Sequence, residues 1–147
     1  MKRRIIPIVC LLAALALSAA CTTAQARLTE PAREFDASKA SPDAILITTS
    51  DYKFDLGRDS ARAGTIEFVV GNIANQNHEF VIVPVKDGRF GAPVGEVESF
   101  PAKQRRALRA DLSPGKYEFV CLLVSVEDGT AQSHMALGMR APFEVTK

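Results

Sequence analysis

From residue 44 onward the chain alternates between apolar and polar positions with the period of two that marks a half-buried strand. Ala44-Ile45-Leu46-Ile47-Thr48-Thr49 is a β-branched run, and Tyr52, Phe54 and Leu56 alternate with polar neighbours directly after it. Residues 57–64 are polar and turn-forming, and Thr65-Ile66-Glu67-Phe68-Val69-Val70 then opens a strand that ends apolar on both faces, as a strand in the middle of a sheet does. Past an Asn- and Gln-rich loop at 71–77, a strand is expected from Glu79 to Val83. His78 stands at its start, and Pro84, which has no amide to donate, is expected to end its pairing. Asp87 to Gly95 reads as a surface excursion, followed by a short strand at Glu96 to Phe100.

Leu108, Ala110 and Leu112 then face inward with Arg109 and Asp111 outward, so the basic cluster of Lys103, Arg105, Arg106 and Arg109 reads as a solvated strand edge. Ser113-Pro114-Gly115 is a turn by composition and launches the strongest strand of the chain, with Tyr117, Phe119, Cys121 and Leu123 on one face. Ser125 to Ser133 reads as a polar loop, and Ala141 to Thr146 as the closing strand. About eight short strands with turns between them predict an all-β protein, a Greek-key antiparallel β-sandwich over residues 43–147.

The first forty residues follow a different pattern. Lys2, Arg3 and Arg4 precede an apolar run from Ile5 to Leu17, the form of an export signal over residues 1–20 and too short for a membrane span. Two processing sites compete: Leu17-Ser18-Ala19-Ala20-Cys21 resembles the lipobox of bacterial lipoproteins, with Cys21 as the lipidated residue, and Ala24-Gln25-Ala26 is an ordinary small-x-small cleavage site. Residues 21–42 are small, polar and charged without periodicity, and read as a tether. The expected location is therefore outside the cytoplasm, periplasmic or membrane-anchored as a bacterial lipoprotein. Loss of residues 1–20 moves the formal charge from +1 to −2, which offers no polybasic surface to nucleic acid.

Cysteine usage sharpens the picture. Cys10 leaves with the signal and Cys21 lies in the tether, so Cys121 is the one thiol of the expected domain. Exported proteins pair their cysteines, and a lone thiol is either a small buried hydrophobe or a ligand. Close behind it come His134 and Met139, and upstream stands His78. Thiolate, imidazole and thioether are the soft-to-borderline donors that copper prefers, and two His, one Cys and one Met make up a blue-copper ligand set.

The segment Leu112-x-Pro114-Gly115-x-Tyr117-x-Phe119-x-Cys121, followed by His134-x4-Met139 with Gly138 before the Met, resembles the copper-binding end of the cupredoxins, the plastocyanin and azurin superfamily. Asn77-His78-Glu79-Phe80 resembles the region that supplies their first histidine. The resemblance implies one copper ion held by His78, Cys121, His134 and Met139, one imidazole edge left toward solvent, and Tyr117 as a structural corner tyrosine. It departs from the family pattern in one place: twelve residues lie between Cys121 and His134, where typical members have only a few. Met135 is a second candidate for the axial sulfur, and Met139 matches the spacing.

Single-electron transfer between redox partner proteins, with the membrane reached through the lipid, is the function this implies. A copper-delivery module, or a metal-free interaction domain on the same fold, is the alternative. Enzyme readings are disfavoured: two histidines in the whole chain exclude a multicopper oxidase, and a lone Cys121 excludes a binuclear thiolate-bridged centre. Zinc matches Cys and two His, but no motif sets a general base beside them.

Overall fold

A computed structural model describes residues 31–147. The expected signal, Cys21 and the Ala26 cleavage point lie outside these residues. In chain order the strands are β1 (Arg33–Phe35), β2 (Ile45–Ser50), β3 (Lys53–Leu56), β4 (Ser60–Arg62), β5 (Gly64–Asn72), β6 (His78–Lys86) and β7 (Arg89–Phe90). They continue with β8 (Gly95–Phe100), β9 (Arg105–Leu112), β10 (Gly115–Val120), β11 (Val124–Glu127), β12 (Thr130–Ser133) and β13 (Arg140–Thr146). One 3-10 turn at Ala37–Lys39 is the sole helical element among the described residues.

Two sheets pack face to face. The first runs β1-β9-β5-β2-β3, and the second runs β4-β13-β10-β6-β7 with β8 also on β6. The expected β-sandwich is therefore present, but it is not purely antiparallel. β2 pairs parallel with β5, and β13 parallel with β4. The cause is a crossover: after the β2–β3 hairpin the chain passes to the second sheet as β4, then returns as β5 on the other side of β2.

Three sequence expectations need correction. Residues 33–35, assigned to the tether, form β1 and pair with Arg109, Leu108 and Ala107 of β9, so the expected boundary at residue 43 falls too late. β9 accordingly lies between β1 and β5 instead of forming a solvated edge. Its Arg109 holds Glu67 at 2.5 Å and lies 4.8 Å from the centre of the Phe35 ring. Finally, β6 continues through Pro84, which pairs with Tyr117 of β10. A residue's amide and carbonyl point to the same side of a strand, and the Pro84 carbonyl accepts from Gly91 N–H at 2.8 Å. The missing amide therefore faces the β7 side, and the ladder to β10 does not use it.

The core is aromatic. Phe68 from the first sheet meets Phe80, Phe119 and Phe143 from the second at centroid separations of 5.5–5.8 Å, and Phe119 stacks on Phe143 at 4.8 Å. All four are buried, each contributing about 1.5–3 kcal/mol of apolar burial. The closing strand shows why the sequence reads so clearly: Ala141, Phe143 and Val145 point in, and their neighbours point out. Tyr117 donates its hydroxyl to the Ser113 carbonyl at 2.8 Å, pinning the turn that opens β10.

Candidate metal centre

Antiparallel pairing brings the start of one strand beside the end of its neighbour. β6 and β10 are such neighbours, with Val81 opposite Val120, so His78 at the start of β6 and Cys121 just past β10 arrive at the same end of the sandwich. An irregularity in the β6–β8 register between His78 and Phe80 marks where the ladder lets His78 turn inward. Cys121 keeps the β10–β13 line going, its amide donating to the Met139 carbonyl at 3.1 Å.

The long stretch between Cys121 and His134 is not the polar loop expected from sequence. Val124–Glu127 and Thr130–Ser133 pair as an antiparallel hairpin, closed by Asp128 and Gly129 at φ of 50° and 76°. Two successive positive φ values are those of a type I′ turn, for which Asp-Gly is a favoured pair. The hairpin is why the additional residues do no harm to convergence. Its two ends are adjacent whatever its length, Val124 opposite Ser133, and His134 N–H donates to the Leu123 carbonyl at 3.0 Å. A turn then carries the chain back, with Leu137 N–H on Ser133 and Met139 N–H on His134.

The result is a tight cluster. One ligand atom each from His78, Cys121 and His134 can be chosen so that all lie within 4.8 Å of one another. The His78 and His134 Nδ1 atoms are 3.3 Å apart, and Cys121 Sγ is 3.4 Å from His134 Nδ1. Both contacts are within hydrogen-bonding distance, and the imidazole tautomers set which atom donates. Both Nε2 atoms are buried without a hydrogen-bond partner. Burial also sets the charge. Loss of water, then the neighbouring His134, pushes the His78 pKa down to about 4; burial likewise lowers that of His134, and burial raises that of the Cys121 thiol. Three neutral donors of nitrogen and sulfur, turned inward on one point, fit a soft or borderline metal ion such as copper or zinc.

Met139 is fully buried in the same apolar cluster as Cys121. Met135 packs instead against Val81, Val83 and Val120, on the opposite face of the second sheet. Of the two candidate sulfurs, Met139 is thus the one on the side of the cluster.

Three residues that sequence reasoning did not single out also shape the site. Glu79, buried beside His78, accepts a hydrogen bond from Leu122 N–H with its carboxylate, tying the His78 strand to the residue after Cys121. Burial raises its pKa, against the lowering effect of that bond. Tyr52 meets the His134 ring edge-to-face at 5.1 Å and the His78 ring at 6.5 Å. Its φ of 56° is the left-handed conformation, which costs a bulky residue about 1–2 kcal/mol. Glu127, on the hairpin, accepts the Tyr52 hydroxyl at 3.0 Å. The imidazole edge expected at solvent is accordingly absent: His134 is 2% exposed.

No protein-family model matches the sequence, and no curated protein matches it. Solved structures do match. The dithionite-reduced auracyanin of the photosynthetic bacterium Roseiflexus castenholzii superimposes with a TM-score of 0.59 at 16% identity, over 74% of this chain and 100% of that one. The Cu(I) form of an amicyanin mutant gives 0.50 at 14% identity, over 79% and 99%. Reduced rusticyanin gives 0.50 at 15% identity, over 78% and 99%. At such identities the likeness is one of fold.

Proposed function

We propose that this chain, whose fold is that of the cupredoxins, is an exported type 1 copper protein that carries single electrons between partner proteins. The observation that carries the reading is the meeting of His78, Cys121 and His134 at one end of the sandwich, with ligand atoms within 4.8 Å. Cys121 would supply the thiolate, His78 and His134 would supply Nδ1, and Met139 would supply a weak thioether. When bound, copper supplies a Cu(I)/Cu(II) couple. The chain's part is to hold the donors still and dry, so that a change of charge demands little rearrangement. To bind, the site would give up the Cys121 thiol proton, while each neutral imidazole would keep its one proton on Nε2 and offer Nδ1, so metal uptake should release one proton.

The fold shared with a Cu(I) amicyanin and with reduced auracyanin and rusticyanin supports the same reading. The basic start and apolar run of residues 1–20 support export, and Cys21 is the proposed lipid attachment point that keeps the protein at the membrane near its redox partners.

The test is optical. Purified protein given Cu(II) should develop an intense visible charge-transfer band that disappears on reduction and is absent in Cys121→Ser. A protein that stays colourless and binds only Cu(I) would instead be a copper-delivery module. For the anchor, Cys21→Ser should move the protein into the soluble fraction; an unchanged distribution points to cleavage after Ala26.

A further inference from the structure

The inserted hairpin does more than span the gap between Cys121 and His134. Its Glu127 reaches back across the end of the sandwich to Tyr52, in the turn between β2 and β3, and accepts the tyrosine hydroxyl at 3.0 Å. Tyr52 is half-buried, whereas the two imidazoles beneath it are 0% and 2% exposed. It meets both rings edge-to-face, at 5.1 Å for His134 and 6.5 Å for His78. It does so from a left-handed backbone conformation that a bulky residue adopts only under constraint. The Nε2 atoms of both rings are cut off from water and have no partner.

We infer that Tyr52 is the cap of the metal site and that its hydrogen bond to Glu127 is a latch deciding which molecules reach His78, Cys121 and His134. This rests on the metal-site reading above. A partner protein can exchange an electron through the cap, because electrons cross packed side chains without moving them. Small anions, chelators and thiol-reactive molecules cannot pass while the latch is closed. Tyr52 and Glu127 are positioning residues: neither needs to touch the metal, and both act through the access they allow. The hairpin would then serve as the arm that carries Glu127 to the cap, which gives the lengthened connection between Cys121 and His134 a use.

The latch can be tested on the metal-free mature protein through the Cys121 thiol, with Cys10 removed along with residues 1–20 and Cys21 lipidated or changed to Ser, so that only one thiol is read. The reagent is the aromatic disulfide dithiobis-nitrobenzoate. Wild-type protein should react slowly under native conditions. Glu127→Ala and Tyr52→Phe, each removing the hydrogen bond while keeping the rest, should react about tenfold faster. Glu127→Gln, whose amide oxygen still accepts, should stay near the wild-type rate. The double variant should react no faster than either single, because both remove one and the same bond. Unfolding midpoints within the wild-type range keep a general loss of fold out of the comparison.

In the Cu(II)-loaded protein, azide should leave the wild-type spectrum unchanged and shift that of Glu127→Ala. Unchanged thiol rates in both single variants, additive effects in the double variant, or a Glu127→Gln rate equal to that of Glu127→Ala would overturn the latch. Should wild-type protein develop no copper colour at all, the electron-transfer reading fails, and the thiol rates still decide the latch.

Discussion

The phenylalanines in the middle of the sandwich and the His–Cys cluster at its end are buried to the same degree, and burial has opposite consequences for them. Phe80 and Phe119 are 0% exposed and lie 4.7 Å apart by ring centroid, so each ring removed from water gains an apolar neighbour. His78 is also 0% exposed, yet its Nε2 has no partner, and burial holds its pKa far below the ordinary histidine range. The first region is a reason for the fold to be stable. The second is a cost that the first must offset, and it makes sense when a ligand repays it.

The largest test of that contrast is Phe119→Ala. Truncating a ring that touches Phe68, Phe80 and Phe143 should cost about 3–5 kcal/mol in chemical unfolding. The loss should be alike with and without Cu(II), because the ring is part of the frame and not of the site. A loss confined to the metal-loaded protein would erase the distinction between the two regions.

Acid separates them next. His78 titrates at about 4 in the folded protein, against an ordinary 6.5 when unfolded, so between those values the unfolded chain binds more protons. The stability of the metal-free protein should therefore be fully present above pH 6.5 and fall by about 3 kcal/mol as the pH drops toward 4. Glu79, whose raised pKa favours the folded state in mild acid, works in the other direction. Unfolding midpoints measured across this range should slope steeply in the wild type, and the His78 part of the slope should vanish in His78→Leu.

That same variant sharpens the contrast at neutral pH. An apolar side chain in place of His78 removes a buried Nε2 with no partner and leaves His134 Nδ1 the Cys121 thiol as its neighbour, and should stabilise the metal-free protein by about 1 kcal/mol. It should also abolish any stabilisation by added Cu(II). If His78→Leu destabilises the metal-free protein, the imidazole is a structural core residue and the site carries no latent cost.

What could be read in the sequence follows the same division. Ala141, Phe143 and Val145 alternate because one face of β13 is buried, and burial writes the period of two into the sequence. His78, Cys121 and His134 were legible because few residue types can do what they do. The hairpin at 124–133 was missed because both its strands stand in water, with Val124 60% and Val126 70% exposed, so no inward face imposes a pattern. Only Asp128-Gly129 announces it. β1 is three residues long, too short to show any period. Tyr52 was read as one more alternating strand residue, and nothing local marks a side chain whose partners, His134 and Glu127, lie more than seventy positions away.

The smallest expected effect falls on Met139, which belongs to both regions. It is packed in the core cluster with Cys121, and its backbone bonds to Cys121 and His134 are made by atoms that any side chain leaves in place. Met139→Leu is close to volume-conserving and should cost less than about 1.5 kcal/mol in the metal-free protein, with the hairpin and the His–Cys cluster undisturbed. In the proposed copper site the thioether would contribute little to holding copper and much to its electronic balance, so the variant should keep the metal and its colour while shifting the reduction potential. Voltammetry on the two proteins decides this. An unchanged potential would leave Met139 as a core residue only, and would return the axial position to a solvent molecule or to none.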